Sequence, residues 1–229
     1  VRLAALETAT AVTAVAVADD DDVAELVADE QRRHTESLLP ALAALLAGRG
    51  WRAQDLDAVV VDVGPGLFTG LRVGVATAKG LAVATGVGLV GVASTDVLAE
   101  AACTAGVAGT VAAVVDVRRG EVVVATYRCE GTATLVEPPS LADPAALGRA
   151  LRTADGPVVA VGDGARRHRD VLEGVVVRDD LVVPSPAAAI RLARRRLAAG
   201  ARPAAHDAVH PWYVREADAV ANFTVREAP

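Results

Sequence analysis

The sequence predicts an α/β fold built from two successive βββαβα units, and three observations carry that prediction. Short β-branched runs bounded by turn residues alternate with longer stretches of helical period. The order of these elements restarts after residue 105. The composition, 52% hydrophobic and 23% charged over 229 residues, is that of a chain with a sizeable core rather than of a disordered one.

The first unit opens with strands at 2–6 and 11–18, joined through Thr8–Thr10, and a third at 23–29. The acidic run Asp19–Asp22 between the last two reads as a solvated hairpin turn; it lacks the glycine and distal glutamate of a calcium loop. Residues 35–47 follow as a helix, with Leu38, Leu42, Leu45 and Leu46 on one face and Pro40 expected to kink it. Residues 57–63 form a buried strand. A Gly64-Pro65-Gly66 turn leads into a helix at 69–85 with Thr69 as its N-cap, then a strand at 88–93 and a helix at 94–104 capped by Ser94. The second unit repeats this order: strands at 110–117, 121–128 and 132–136, a helix at 142–151, a strand at 157–161, a short helix at 165–172 and a helix at 187–199. The predicted boundaries are 1–105 for the first subdomain and 106–205 for the second, with 206–229 packing back on the first.

Charge and cysteine count narrow the function classes. Acids number 29 against 23 bases, for a net charge of −6, so the chain as a whole is a poor free-standing nucleic-acid binder. Two cysteines, Cys103 and Cys129, form no CxxC, and four scattered histidines supply no zinc spacing. No apolar run reaches the length of a membrane span. A soluble cytoplasmic protein is expected.

Residues 64–74, GPGLFTGLRVG, are the most informative segment. A buried strand ends in a tight turn and a helix starts, which leaves free backbone N–H groups suited to an anion; an ordinary strand-to-helix turn explains the pattern as well. Gly70, Gly74 and Ala78 form a small-residue ridge on that helix. Each interior glycine costs about 1 kcal/mol against alanine, so close approach of another backbone is expected, either the 35–47 helix or another subunit. Together the two helices carry more apolar surface than one sheet face needs, which predicts a protein interface. Gly86–Gly91 matches GxGxxG but follows a helix and enters a strand, the wrong context for a dinucleotide. Asp62 and Asp116 are the carboxylates best placed for acid–base work, and neither has a visible partner. Arg191, Arg194, Arg195 and Arg196 read as a solvated face or an RNA contact, as do Arg166, Arg167, His168 and Arg169.

These residues resemble a family. GPGLFTGLRVG is similar to the GPGSFTGLRIG signature of the TsaB (YeaZ) family, the bacterial subunit needed for threonylcarbamoyladenosine formation in tRNA. Leu6–Thr10 resembles its opening LDTST, Arg33–Pro40 its HxxxLLP helix, Asp116–Val122 its DARRGEVY, and Pro211–Arg215 its closing PxYLR. The resemblance implies the actin-like, Hsp70-like (ASKHA) fold and no catalytic or metal residues, since the histidine pair of the catalytic relative TsaD has no counterpart. It implies TsaD as heterodimer partner, the ATPase TsaE as a further partner, a homodimer when alone, and tRNA reached through the complex. The interface it implies comprises His34, Thr35, Leu38 and Leu42 of the first helix with Phe68, Thr69, Gly70, Arg72, Val73, Gly74, Thr77 and Gly80 of the second. A vestigial nucleotide site would include Glu7, Thr8, Thr10, Gly64, Gly66, Asp116 and Gly162. No cofactor is expected to bind tightly, and ATP or ADP would sit at the junction with TsaD. Three departures stand out: Glu7 for Asp, Leu67 for Ser and Val123 for Tyr. The alternative is an ASKHA-fold small-molecule kinase with Asp116 or Asp62 as base; a peptidase lacks its nucleophile or metal pair.

Overall fold

The computed structural model describes residues 1–28 and 34–214. Asp29 and Arg33, Arg215 and the segment after it lie outside the described residues. The first sheet contains β1 (Arg2–Glu7), β2 (Thr13–Asp19), β3 (Asp22–Ala28), β4 (Ala58–Gly64) and β5 (Gly88–Ala93), in the order β3-β2-β1-β4-β5. β1 pairs antiparallel with β2 and parallel with β4, and β4 runs parallel to β5. The acidic hairpin is as expected: Asp19 pairs with Asp22 and Asp20 turns the chain at φ +46°.

The second sheet contains β6 (Gly109–Asp116), β7 (Val122–Cys129), β8 (Ala133–Ala142), β9 (Val158–Val161) and β10 (Val176–Val177), in the order β10-β9-β6-β7-β8. Renumbered within its own unit, this is the first order again, with the same parallel and antiparallel neighbours. The repeat inferred from element order is therefore a repeat of topology.

Helices α1 (His34–Gly48) and α2 (Phe68–Thr85) cover one face of the first sheet. Leu38, Leu42 and Leu46 recur at helical spacing and are 1%, 2% and 7% exposed, each worth about 1.5–3 kcal/mol in burial. α1 runs on through Pro40, which lies on its exposed side where the freed carbonyl of Glu36 meets solvent. α4 (Pro144–Arg152) and α5 (Asp163–Arg167) lie on the outer face of the second sheet. Between the sheets sit α3 (Ser94–Thr104) and α6 (Pro186–Ala198).

This middle layer departs from the predicted subdomain limits. α3, assigned to the first unit, packs Leu98, Ala99 and Ala102 on the second sheet. α6, assigned to the second, packs Ala188, Ala189, Ile190 and Ala193 on the first. α3 thus bridges the two sheets, with Val97 and Ala101 on the first and Leu98, Ala99 and Ala102 on the second, while α6 buries one apolar face on the first and meets α3 through its arginines. The arginine cluster of α6 is held in ion pairs and hydrogen bonds within the chain. Arg195 grips Glu100 of α3 through both carboxylate oxygens, Arg191 stands 3.9 Å from the same group, and Arg196 binds Asp96 at 2.7 Å and the Gly91 carbonyl at 3.0 Å. Arg194 reaches Asp21 at 3.9 Å. A disulfide between Cys103 and Cys129 ties α3 to β7.

Two cap assignments also change. Leu67, not Thr69, is the N-cap of α2, and Ser94 is the first residue of α3, with its hydroxyl turned to Asp62. Residues 204–212 lie against the first lobe. Ala204 bridges Leu89, Val209 is buried in the core under α2, and the Trp212 N–H donates to the Val63 carbonyl at 2.6 Å.

Candidate partner-binding face and interlobe cleft

The turn between β1 and β2 organises both candidate sites. It lies against the N-terminal half of α2, and the contact is close enough to require glycine. A Cβ on Gly70 would stand 1.9 Å from the Thr8 carbonyl oxygen, one on Gly74 2.4 Å from Thr8 Oγ1, and one on Gly66 2.3 Å from the Ala9 oxygen. Thr8 Oγ1 donates to the Gly70 carbonyl at 2.7 Å, and the Leu67 N–H donates to Ala9 at 2.7 Å. The backbone expected to approach the glycine ridge is thus this turn, and neither α1 nor a second subunit. Spacing showed that a backbone had to come close; it held no sign of which.

His34 closes the same arrangement from α1. Ser37 Oγ donates to Thr13 Oγ1 at 3.1 Å, so the Thr13 hydroxyl gives its proton to His34 Nδ1 at 2.6 Å. The other ring nitrogen faces the Thr10 carbonyl, and burial holds the imidazole below its usual pKa, in keeping with a neutral ring.

On the outer side of α1 and α2 a groove of about 310 Å³ opens, lined by His34, Thr35, Leu38, Leu39, Arg72, Val73, Ala76 and Thr77. At its α2 end the Arg72 guanidinium lies 3.6 Å over the Phe68 ring and donates from Nε to the Tyr213 hydroxyl at 3.0 Å. The Phe68 and Tyr213 rings are 5.1 Å apart. The stack holds an exposed aromatic and a cation in one geometry at the head of the groove. Of the predicted interface residues, Thr35, Phe68, Thr69, Arg72 and Gly80 are exposed, and His34, Val73 and Thr77 are half-buried. Leu42, Gly70 and Gly74 are buried in this chain's own core or against its own turn, and Leu38 lines the groove while only 1% exposed. Tyr213 and Leu39 were missed. Leu39 sits next to an apolar stripe without belonging to it, and only the fold brings Tyr213 back to α2.

The predicted nucleotide residues lie at the junction of the lobes, and their polar groups are engaged within the chain. Glu7, Thr8, Thr10 and Asp116 are 1%, 1%, 2% and 4% exposed. Glu7 Oε1 accepts the Ala9 N–H at 2.7 Å. Asp62 Oδ1 accepts the Gly64 N–H and the Ser94 hydroxyl, both at 2.7 Å, while Oδ2 has no N–H or hydroxyl donor. Burial and the neighbouring Asp62 push Glu7 well above the usual carboxyl range, and burial raises Asp62 as well. Gly64 abuts Leu71 and the Trp212 carbonyl, and Gly162 the Val114 carbonyl, where a Cβ would stand 2.1 Å away.

Asp116, expected without a partner, has two. Its Oδ2 lies 3.4 Å from Arg118 Nη1 and 3.4 Å from Arg167 Nε. Its N–H donates to Asp163 at 3.0 Å, and burial pushes the Asp163 carboxyl up to about 6. Asp163, next to the predicted Gly162, was not among the predicted site residues. Among the described residues no group of three or more His, Cys, Asp or Glu is placed to hold a metal ion.

Comparison with known proteins follows this geometry closely. The TsaB protein of Escherichia coli K12, named for tRNA threonylcarbamoyladenosine biosynthesis, is 30% identical over 219 residues, covering 93% of this chain and 94% of its own. The chain belongs to the TsaB (YeaZ) family. The TsaB of Bacillus subtilis is 31% identical over 159 residues, 69% of each chain. YeaZ from Pseudomonas aeruginosa superposes with a TM-score of 0.81 at 26% identity, over 93% of this chain and 99% of that one. Residues 26–159 also match the family model described as TsaD, tRNA N6-adenosine threonylcarbamoyltransferase. The duplicated βββαβα lobes of this TsaB-family chain form the ASKHA fold. None of its helices, among the described residues, is long and apolar enough to cross a membrane.

Proposed function

We propose that this chain is a non-catalytic subunit that binds and activates TsaD in the complex forming threonylcarbamoyladenosine next to the anticodon of tRNAs that read codons beginning with A. The observation that carries this is the α1–α2 groove with the Phe68–Arg72–Tyr213 stack at its head: an exposed, partly apolar face on a TsaB-family chain. The polar groups of the cleft supply further support, since Glu7, Asp62 and Thr8 bond within the chain. TsaE joins the pair, a homodimer forms through the same face when TsaD is absent, and ATP or ADP binds at the TsaD junction rather than tightly to this chain.

The test is complex formation by size exclusion with TsaD from the same organism. Wild type co-elutes with TsaD. Ala76→Arg, which places a charge on the groove wall without entering the core, abolishes co-elution, while Val176→Arg on the other lobe leaves it unchanged. Co-elution by Ala76→Arg at wild-type affinity would place the partner elsewhere.

A further inference from the structure

The sequence holds two basic clusters, and the fold treats them differently. The arginines of α6 are engaged by Glu100, Asp96, the exposed Asp21 and the Gly91 carbonyl. The other cluster joins two separate segments, Arg118 and Arg119 in the β6–β7 turn and Arg166 and Arg167 of α5. Asp116 gathers them, with Arg118 Nη1 and Arg167 Nε each 3.4 Å from the same oxygen. That carboxylate is buried and Asp163 is half-buried, so the outward face presents guanidinium groups. The Arg118 and Arg167 side chains are 52% and 57% exposed, and Arg119 and Arg166 are exposed beside them.

The backbone supplies a second, independent observation. Arg118 and Arg119 both adopt left-handed conformations, at φ +66° and +60°, with Gly120 next at +76°. The turn closes through the Glu121 N–H to the Arg118 carbonyl at 3.2 Å. Positions of this kind favour Asn, Asp or Gly, whose side chains do not crowd the carbonyl. Two successive arginines carry strain that Asn or Gly would avoid, and the Arg118 pair with Asp116 alone does not require arginine at both positions. Nor does solubility, since the chain is already at −6.

We propose that Arg118, Arg119, Arg166 and Arg167 form a phosphate-contacting patch that holds the RNA substrate on this subunit. The inference rests on the function proposed above and gives this chain a direct contact with RNA. The exposed guanidiniums are spread over a turn and a helix, which suits a phosphodiester backbone passing over the surface better than a free phosphate. A patch that contacts phosphates contributes affinity without sequence preference and makes it salt-dependent.

The test titrates a tRNA transcript with the TsaD complex by filter binding across a potassium chloride series, and with the chain alone in parallel. Two double variants are compared with wild type: Arg118→Gly with Arg119→Asn, and Arg166→Gln with Arg167→Gln. Each is expected to weaken tRNA binding about tenfold or more and to lower the log–log salt slope by about 1–2. Backbone relief in the turn variant offsets the lost Arg118–Asp116 pair, Arg167 still faces that carboxylate, and the unfolding midpoint of each variant shows whether it is folded. An unchanged slope and affinity in an intact TsaD complex overturns the patch. If wild type forms no complex with TsaD, the partner reading fails, and the patch is judged on the chain alone. There the same fall in slope supports it, and the absence of salt-dependent tRNA binding overturns it.

Discussion

Two glycines of one helix should respond to the same substitution with opposite signs. In Gly70→Ala the new Cβ meets the Thr8 carbonyl oxygen at 1.9 Å, a backbone atom that cannot rotate away. α2 and the β1–β2 turn must separate by about 1 Å or more, straining the Thr8 Oγ1 to Gly70 hydrogen bond of 2.7 Å. Overpacking costs about 1–3 kcal/mol, and a lost buried hydrogen bond about 1 kcal/mol. Higher helix propensity returns up to about 1 kcal/mol. The net is a loss of about 1–4 kcal/mol, about 2–3 kcal/mol at the middle of that range. At Gly80, exposed with nothing within 4 Å of a Cβ, only the propensity gain of about 1 kcal/mol operates. For a chain of this size each kcal/mol moves the midpoint by about 2–4 °C. Thermal unfolding followed by circular dichroism should show Gly70→Ala about 5–10 °C below wild type and Gly80→Ala about 2–4 °C above it. If both variants rise together, the Gly70 ridge is open surface and its packing on the turn is wrong.

Other perturbations follow from the same contacts. Arg195→Ala leaves Glu100, 3% exposed, without its bidentate partner and should cost about 2–3 kcal/mol in urea unfolding. The loss is held below that of a fully buried pair because the Arg195 side chain is 40% exposed and Arg191 stands 3.9 Å from the carboxylate; a neutral result would show that the clamp adds nothing to the α3–α6 layer. Glu7 binds its proton more tightly folded than unfolded, so stability falls as pH rises from about its ordinary 4.5 through the raised folded value. Glu7→Gln should therefore raise the midpoint at pH 8 more than at pH 5, and a variant less stable than wild type at pH 8 would contradict the raised carboxyl. Phe68→Ala removes the platform under Arg72 and should weaken TsaD binding about tenfold in calorimetry with the unfolding midpoint nearly unchanged; unaltered affinity would remove the stack from the interface.

Much of the architecture was legible because local signals and packing agree. β5 and α3 fall at the predicted residues, where Gly86 in the left-handed region ends α2 and a short apolar run follows. Boundaries slipped where a signal was present but underused. Asp143-Pro144 and Ser185-Pro186 each pair a capping side chain with a proline at the first helical position, and both start their helices there. β8 runs on to Ala142 through Pro138 and Pro139. It bonds to β7 on one side only, and an edge strand tolerates residues without an N–H. β10 has two residues, too few to carry a period. Long-range choices were not legible: that Gly70 meets Thr8, that α6 crosses to the first sheet, and that Arg167 shares Asp116 with Arg118. Each depends on which distant element packs there, and spacing along the chain holds no record of it. For the same reason the predicted interface mixed buried with exposed residues, since α1 and α2 are apolar nearly all round and pattern alone could not separate their inner and outer faces.

The central claim is that this chain acts by pairing with a catalytic relative, and reconstitution tests it most directly. Purified TsaD, TsaE and the threonylcarbamoyl-AMP synthase are combined with tRNA, with wild-type chain, with Ala76→Arg, and without the chain. The account predicts threonylcarbamoyladenosine only with the wild-type chain and none from the chain alone. Full product from the other three proteins without it, or equal product with Ala76→Arg, would contradict the account.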